Sequence, residues 1–416
     1  MQTALLFLIS GSVVSQTAPA ERGKVPDLVK DFYSNDSETR KRARDKLESA
    51  VWYSDISSTD LVAAALALIE LVTDPTLDIH RDIISSLNRI AAERGISPTE
   101  GEQIRPRLSQ ALQKLDKKAR LKLIPVTVAV DPMRKNEAIA MCIDTLQVKS
   151  RDDRYYAART LVDLDPTRDD GVPFLIECLN RPGGYAAAVP HILGDLGPVA
   201  KVSVPALKEL LKHKDSDVRA AAGGALGRIS PESCKEAIPV LRRILPDPNW
   251  RSNAAQGLAH FGALAQEAIP DLQKCVKELD ATPLGDGSKE RDKARRHREL
   301  DRASLLFALA RIDQRSREWV PQLERLLRDP AWVVRSHVLY MLRTIGPQAR
   351  ATTSSIVKTI KEERNHHRFI VALGCRALEQ IDPPADQVVP LLNELLSDSN
   401  YRVHEAAEKA LAKIRR

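Results

Sequence analysis

The stretch VPALKELLKHKDSDVRAAAGGALGRISP, residues 204–231, reads as two helices joined by a polar turn. Val204 to Leu211 begins the first, with Pro205 near its N1 position, where a missing N–H removes no helical hydrogen bond. His213 to Asp217 is the turn. Val218 to Ile229 forms the second helix, whose inward face is Ala222, Leu226 and Ile229, and Pro231 closes the unit.

The second helix is one of a series. Counting from Arg219, an apolar or small residue falls at +3, Leu at +7 and an apolar residue at +10, and the same register opens at Arg40, His80, Arg120, Arg154, Ala186, Arg251, Arg302, Arg335, Val371 and His404. Ten of these eleven anchors have Leu at +7, and only Thr127 breaks the column. A proline recurs 14 residues before the anchor at Pro26, Pro106, Pro205, Pro321 and Pro390, so two independent signals share one register. A period of mostly 32 to 40 residues with this stripe predicts stacked helix pairs, each too small to bury its own apolar face.

Composition agrees. Over 416 residues the chain is 43% hydrophobic and 29% charged but only 4% aromatic, which suits aliphatic helix packing and argues against disorder. The net charge of +7 is a mild bias for this length. Cys142, Cys178, Cys234, Cys275 and Cys375 fall in separate repeats, too far apart in a stacked array for disulfides, and read as small core residues. Residues 4–14 are apolar or small and lead to Ala18, Pro19 and Ala20, which predicts a signal peptide over 1–20 and a mature repeat array over 21–416. No other segment is long and apolar enough to span a bilayer.

The turns DPAWVVR (329–335), DPTLDIH (74–80) and DSNYRVH (398–404) resemble the D-x-x-x-x-V-R turn of HEAT repeats. The connections GPVAKVSVP (197–205) and GALAQEAIP (262–270) are similar to the HEAT-like subtype named after phycobilisome lyases. The resemblance implies an all-α fold: a right-handed α-α superhelix of about eleven HEAT-like helix pairs. It also implies second helices lining a concave surface, and a ladder of hydrogen bonds between turn Asp and helix-start Arg.

One interval departs from the period: Arg251 to Arg302 spans 51 residues, and the excess forms an insertion at about 280–299. Pro283, Gly285 and Gly287 make its first part a loop, and a charged extension then runs into the next helix. Glu290, Asp292, Glu299 and Asp301 can pair within that helix, giving a solvated surface. The functional alternative is a basic protrusion, with Lys289, Arg291, Lys293, Arg295, Arg296 and Arg298 as candidate partner-binding residues for an acidic partner. Trp332 and Tyr401 share one slot three residues before their anchors, which predicts packing between repeats, and Trp250 is expected in the core.

Chemistry is sparse. His404-Glu405 is the one His-Glu dipeptide, whereas a dinuclear hydroxylase site of the kind known in this superfamily needs about six converging ligands. His404 therefore reads as a helix-start residue in place of Arg. His366-His367 is adjacent instead of i,i+4, and His191, His213, His260, His297 and His337 lie in different repeats; there is no H-E-x-x-H, P-loop or G-x-S-x-G, and Gly223-Gly224 predicts a close helix contact. The expectation is a noncatalytic, exported, monomeric scaffold without cofactor, binding a protein or peptide along its concave face. Nucleic-acid binding through the basic clusters at 40–46 and 114–122 is the alternative, and a metal-dependent hydroxylase or lyase the third.

Overall fold

The computed structural model describes residues 58–73, 80–179, 185–281, 288–313 and 318–415, with short pieces between 30 and 43. The leader at 1–20, the anchor Arg40, the turn at 74–79 and the loop at 282–287 lie outside the described residues. The described residues form helices, turns and short connections, and contain no strand. The unbroken second helices are α1 (His80–Arg89), α2 (Arg151–Leu164), α3 (Ala188–Leu196), α4 (Ser216–Ile229), α5 (Arg251–Phe261), α6 (Ser288–Ile312), α7 (Trp332–Ile345), α8 (Arg368–Ile381) and α9 (Tyr401–Ile414). At the Arg120 anchor the second helix is split into Lys117–Lys122 and Ile124–Val130. Pro125 stands beside that break, in the one repeat where Thr127 replaces Leu.

Two compact units divide the chain, one containing residues 161–359 and 377–387, the other residues 13–160, 360–376 and 388–416. In the first unit Val189, Leu193, Ala222, Leu226, Ala254, Leu258, Leu305, Leu309, Val338 and Leu342 have no exposed surface. These are the +3 and +7 positions of five consecutive repeats. Each buried Leu contributes about 1.5–3 kcal/mol, and that burial exists only because a neighbouring repeat covers it. Helices α3 to α6 pack closely on one another in sequence, while successive first helices barely touch. The second helices therefore occupy the inside of this unit's curve.

Glycine permits that closeness. A Cβ on Gly257 would stand 3.3 Å from the Gly224 nitrogen, and one on Gly223 would stand 2.8 Å from Leu241 Cδ2. The predicted close contact at Gly223-Gly224 is therefore present, on two sides of the same helix.

Three anchor arginines stitch their helices to the turn before, while the anchor Arg302 pairs with Asp280. Arg219 Nη1 donates to the carbonyls of His213 and Lys214 at 2.7 Å, and Arg335 Nη1 to those of Asp329 (2.6 Å) and Pro330 (2.9 Å). Arg251 repeats the pattern, with Nε 2.9 Å from Leu245 O and Nη2 3.2 Å from Pro246 O. These carbonyls lie in the turn that follows the preceding helix. The ladder implied by the resemblance differs accordingly: in these repeats the anchor guanidinium serves backbone oxygens, and the turn carboxylate takes other partners. Asp329 Oδ1 accepts from Ala331 N at 2.8 Å, and Asp398 Oδ1 from Asn400 N at 2.8 Å while Oδ2 accepts from Arg368 at 2.5 Å.

In the second unit Ile83, Leu87, Ala157 and Ala407 continue the buried columns. His404 takes the anchor's role, its Nδ1 2.6 Å from Leu396 O and its ring stacked on Tyr401 at 6.0 Å. This unit also joins segments far apart in sequence. Arg402 Nη2 on α9 donates to Ala91 O at 2.9 Å, and Gly95, at φ 72°, lies where a Cβ would meet Arg402 Cγ at 3.1 Å. The periodicity alone carries no sign of this contact.

All five cysteines are free thiols, and four are buried. Cys234 is only half-buried, as is Trp250, which sits at the start of α5 instead of in the core. No helix among the described residues is long and apolar enough to cross a membrane.

Candidate partner-binding face

The insertion helix divides its six basic candidates. Arg291 and Lys293 are exposed and Arg296 is half-buried. Arg295 reaches the next repeat, with Nη1 2.5 Å from Asp329 Oδ2, and Arg298 pairs with Glu299 at 2.8 Å. Both pairs are largely enclosed, so Arg295 and Arg298 hold the fold together, and the accessible set narrows to Arg291, Lys293 and Arg296. The Lys289 side chain lies outside the described residues.

Histidines that look unrelated in sequence meet on the inner face of the first unit. Positions +5 and +9 share a helix face, and stacking sets His191, Gly224, Gln256 and Tyr340 beside Asp195, Arg228, His260, Arg311 and Thr344. His191, Arg228, Asn253, Gln256 and His260 line one small depression whose floor includes Gly194, Gly224 and Gly257. The small residues keep the backbone low, so the polar side chains stand as its walls. Arg228 Nη2 donates to Asp195 Oδ1 at 2.6 Å across α4 and α3. Among the described residues, neither His191 nor His260 has a hydrogen-bond partner, although both are largely buried.

Electrostatics follow from this crowding. Burial, with Arg228, Arg311 and His191 nearby, pushes the His260 imidazole down to about 3. Burial lowers His191 as well, reinforced by Arg228 and opposed by Asp195. Burial raises the Tyr340 hydroxyl. The face therefore presents neutral imidazoles and carboxamides among cations at neutral pH.

Beside it a buried polar string crosses three helices. Ser252 and Ser304 hydroxyls are 2.6 Å apart, Gln256 Nε2 donates to both at 3.3 Å, and Ser304 lies 3.3 Å from His337 Nε2. His337 Nδ1 is buried without a partner among the described residues, and burial pushes that imidazole down to about 4. Ser304, the hydroxyl beside the His337 imidazole, has no exposed surface. Among the described residues no group of three or more His, Cys, Asp or Glu is placed to hold a metal. His404-Glu405 is engaged in packing: Glu405 accepts from Lys409 at 2.7 Å and pairs with Arg402 at 3.3 Å.

Stacked helix pairs, a buried +3/+7 column and glycine-lined inner helices define an all-α helical-repeat protein. Within that class, a family model of HEAT repeats matches residues 184–250 and 204–282. Among solved structures it is similar to the CpcE–CpcF complex of phycocyanin lyase from Nostoc sp. PCC7120, at 20% identity, covering 65% of this chain and 94% of that one, with a TM-score of 0.42. It is also similar to importin beta (13% identity, 94% of this chain, 58% of that chain, TM-score 0.40) and to Kap121p (15% identity, 94% and 48%, TM-score 0.38). The chain spans about half the length of those two karyopherins. No curated protein matches it in sequence.

Proposed function

We propose that the chain is a noncatalytic scaffold that binds a protein or peptide partner along the inner helices of its first unit. The observation that carries this reading is a cluster of polar side chains drawn from three successive repeats, with His191 and His260 unpartnered beside a low glycine floor. Open hydrogen-bonding groups in register along a groove suit an extended chain, which presents peptide groups at regular intervals. The accessible basic side chains Arg291, Lys293 and Arg296 form a second contact region for an acidic partner.

A photocrosslinker placed at Gln256 in the native host is expected to trap a defined polypeptide, whereas one at Lys277, on the outer helix Ile269–Ala281, is not. Equal trapping at both positions would remove the inner face as the binding surface.

We also propose that the chain is exported, on the strength of the apolar run at 4–14 and the Ala18-Pro-Ala20 sequence. N-terminal sequencing of the protein from its native cells is expected to begin at Glu21. A chain beginning at Met1 or Gln2 in the cytosolic fraction would refute export.

A further inference from the structure

We propose that the inner face of the first unit holds a carboxylate of an acidic polypeptide segment, with Arg311 and Arg343 supplying charge from α6 and α7 and His191 and His260 lining the depression that seats it. This rests on the reading of that face as partner-binding, and adds the chemistry of what is bound.

The first argument is charge that the protein itself leaves unmatched. Arg228 is neutralised by Asp195, but among the described residues neither Arg311 nor Arg343 has a carboxylate partner. Helices α5 and α7 contain no acidic residue, and α6 contains none after Asp301. On α4, Asp217 is engaged by Asn253, and Asp301 faces Arg251. The C-terminal halves of α6 and α7 therefore present cations, Arg311 and Arg343, without counter-charge.

Geometry supplies the second. His191 and His260 are unpartnered, largely buried and line the same depression, so they offer imidazole N–H donors to an incoming acceptor. The depression measures about 30 Å³, room for a group of a few atoms such as a carboxylate and far below what a drug-sized ligand fills.

A third strand is the direction in which the imidazoles are perturbed. Besides burial, the charges acting on His260 are Arg228, Arg311 and His191, all cationic when charged, so an anion seated among them removes a cost now borne by its protonated form. Seating a carboxylate there should raise the ionisation of His260.

The test uses the full chain and a fluorescein-labelled twelve-residue peptide of alternating Glu and Gly, with a Gln-Gly peptide as control. Anisotropy at low salt is expected to show binding of the Glu peptide alone, weakened at least tenfold by Arg311→Gln with Arg343→Gln and largely restored by Lys at both positions. Histidine-labelled NMR is expected to show His260 titrating at higher pH when the peptide is bound. Equal binding of the Gln-Gly peptide, or an unchanged affinity in the double Gln variant, overturns the proposal. Loss confined to Gln substitutions at Arg291, Lys293 and Arg296 moves the acidic contact to the insertion and equally overturns it. Displacement of the peptide by millimolar inorganic phosphate would mean a small-anion site, again against the proposal. If crosslinking at Gln256 traps a partner and the Glu peptide fails to bind, the carboxylate assignment falls while the scaffold reading stands.

Discussion

Arg251→Ala is expected to lower stability by about 3–5 kcal/mol, because it breaks a buried arrangement and leaves its other members without compensation. The guanidinium is almost wholly enclosed. It donates to the carbonyls of Leu245 and Pro246 and faces Asp301 at 3.8 Å across the interface with α6. Even with Arg251 opposing it, burial pushes the Asp301 carboxyl up to about 6. Without Arg251 the charged form loses that attraction, so the variant should take up a proton at Asp301 and its deficit relative to the wild type should narrow below about pH 5. Urea unfolding at pH 8 and pH 5 measures this directly. Arg251→Ala with Asp301→Asn should recover part of the loss, since only the two carbonyls then remain underserved. Arg219→Ala is the comparison: it bonds two carbonyls and the Ser216 hydroxyl, faces no buried carboxylate, and should cost about 1–2 kcal/mol. Similar losses in the two single variants would show that Asp301 adds nothing.

Acidification from pH 7 to pH 4.5 is expected to destabilise the first unit by about 3 kcal/mol. The folded ionisations of His260, about 3, and His337, about 4, lie below the ordinary histidine value. Their contribution is complete above pH 6.5 and is lost as pH falls toward those values, at about 2–3 kcal/mol each by pH 4.5. Asp301 acts with the opposite sign. Its folded value is raised, so its contribution is complete below the unfolded value and lost as pH rises through about 6. Over the same interval it returns about 2 kcal/mol, and the two histidines outweigh it. Urea midpoints across this range should fall in the wild type and fall less in His260→Gln. A flat profile would mean that neither imidazole is held neutral by the fold.

What could be read in advance divides by range. The +3 and +7 columns were legible because burial on a helix repeats every 3.6 residues, and a window one repeat long contains the whole signal. His191 and His260 were not, since each looks isolated in its own repeat and only stacking brings them together. A signal existed: repeats aligned on their anchors give His191, Gln256 and Tyr340 at +5 and Asp195, Arg228, His260 and Arg311 at +9, polar positions on one face. The insertion is a second case: its charges could be read as pairing within the helix or as a basic protrusion, yet Arg295 is committed to Asp329, 34 residues away, and spacing within a helix cannot reveal a partner in the next repeat. Gly95 was equally silent, because its neighbour Arg402 lies more than three hundred positions downstream.

That last contact changes how the chain would respond to shortening. Repeat arrays are commonly trimmed from one end, with each deletion removing a module and one interface. Here, removing the final helix Tyr401–Ile414 would uncover the helix before it and also strip Ala91 and Gly95 of their cover. A single cut would thus disturb two regions more than three hundred residues apart, and this module behaves as a keystone more than as an end cap.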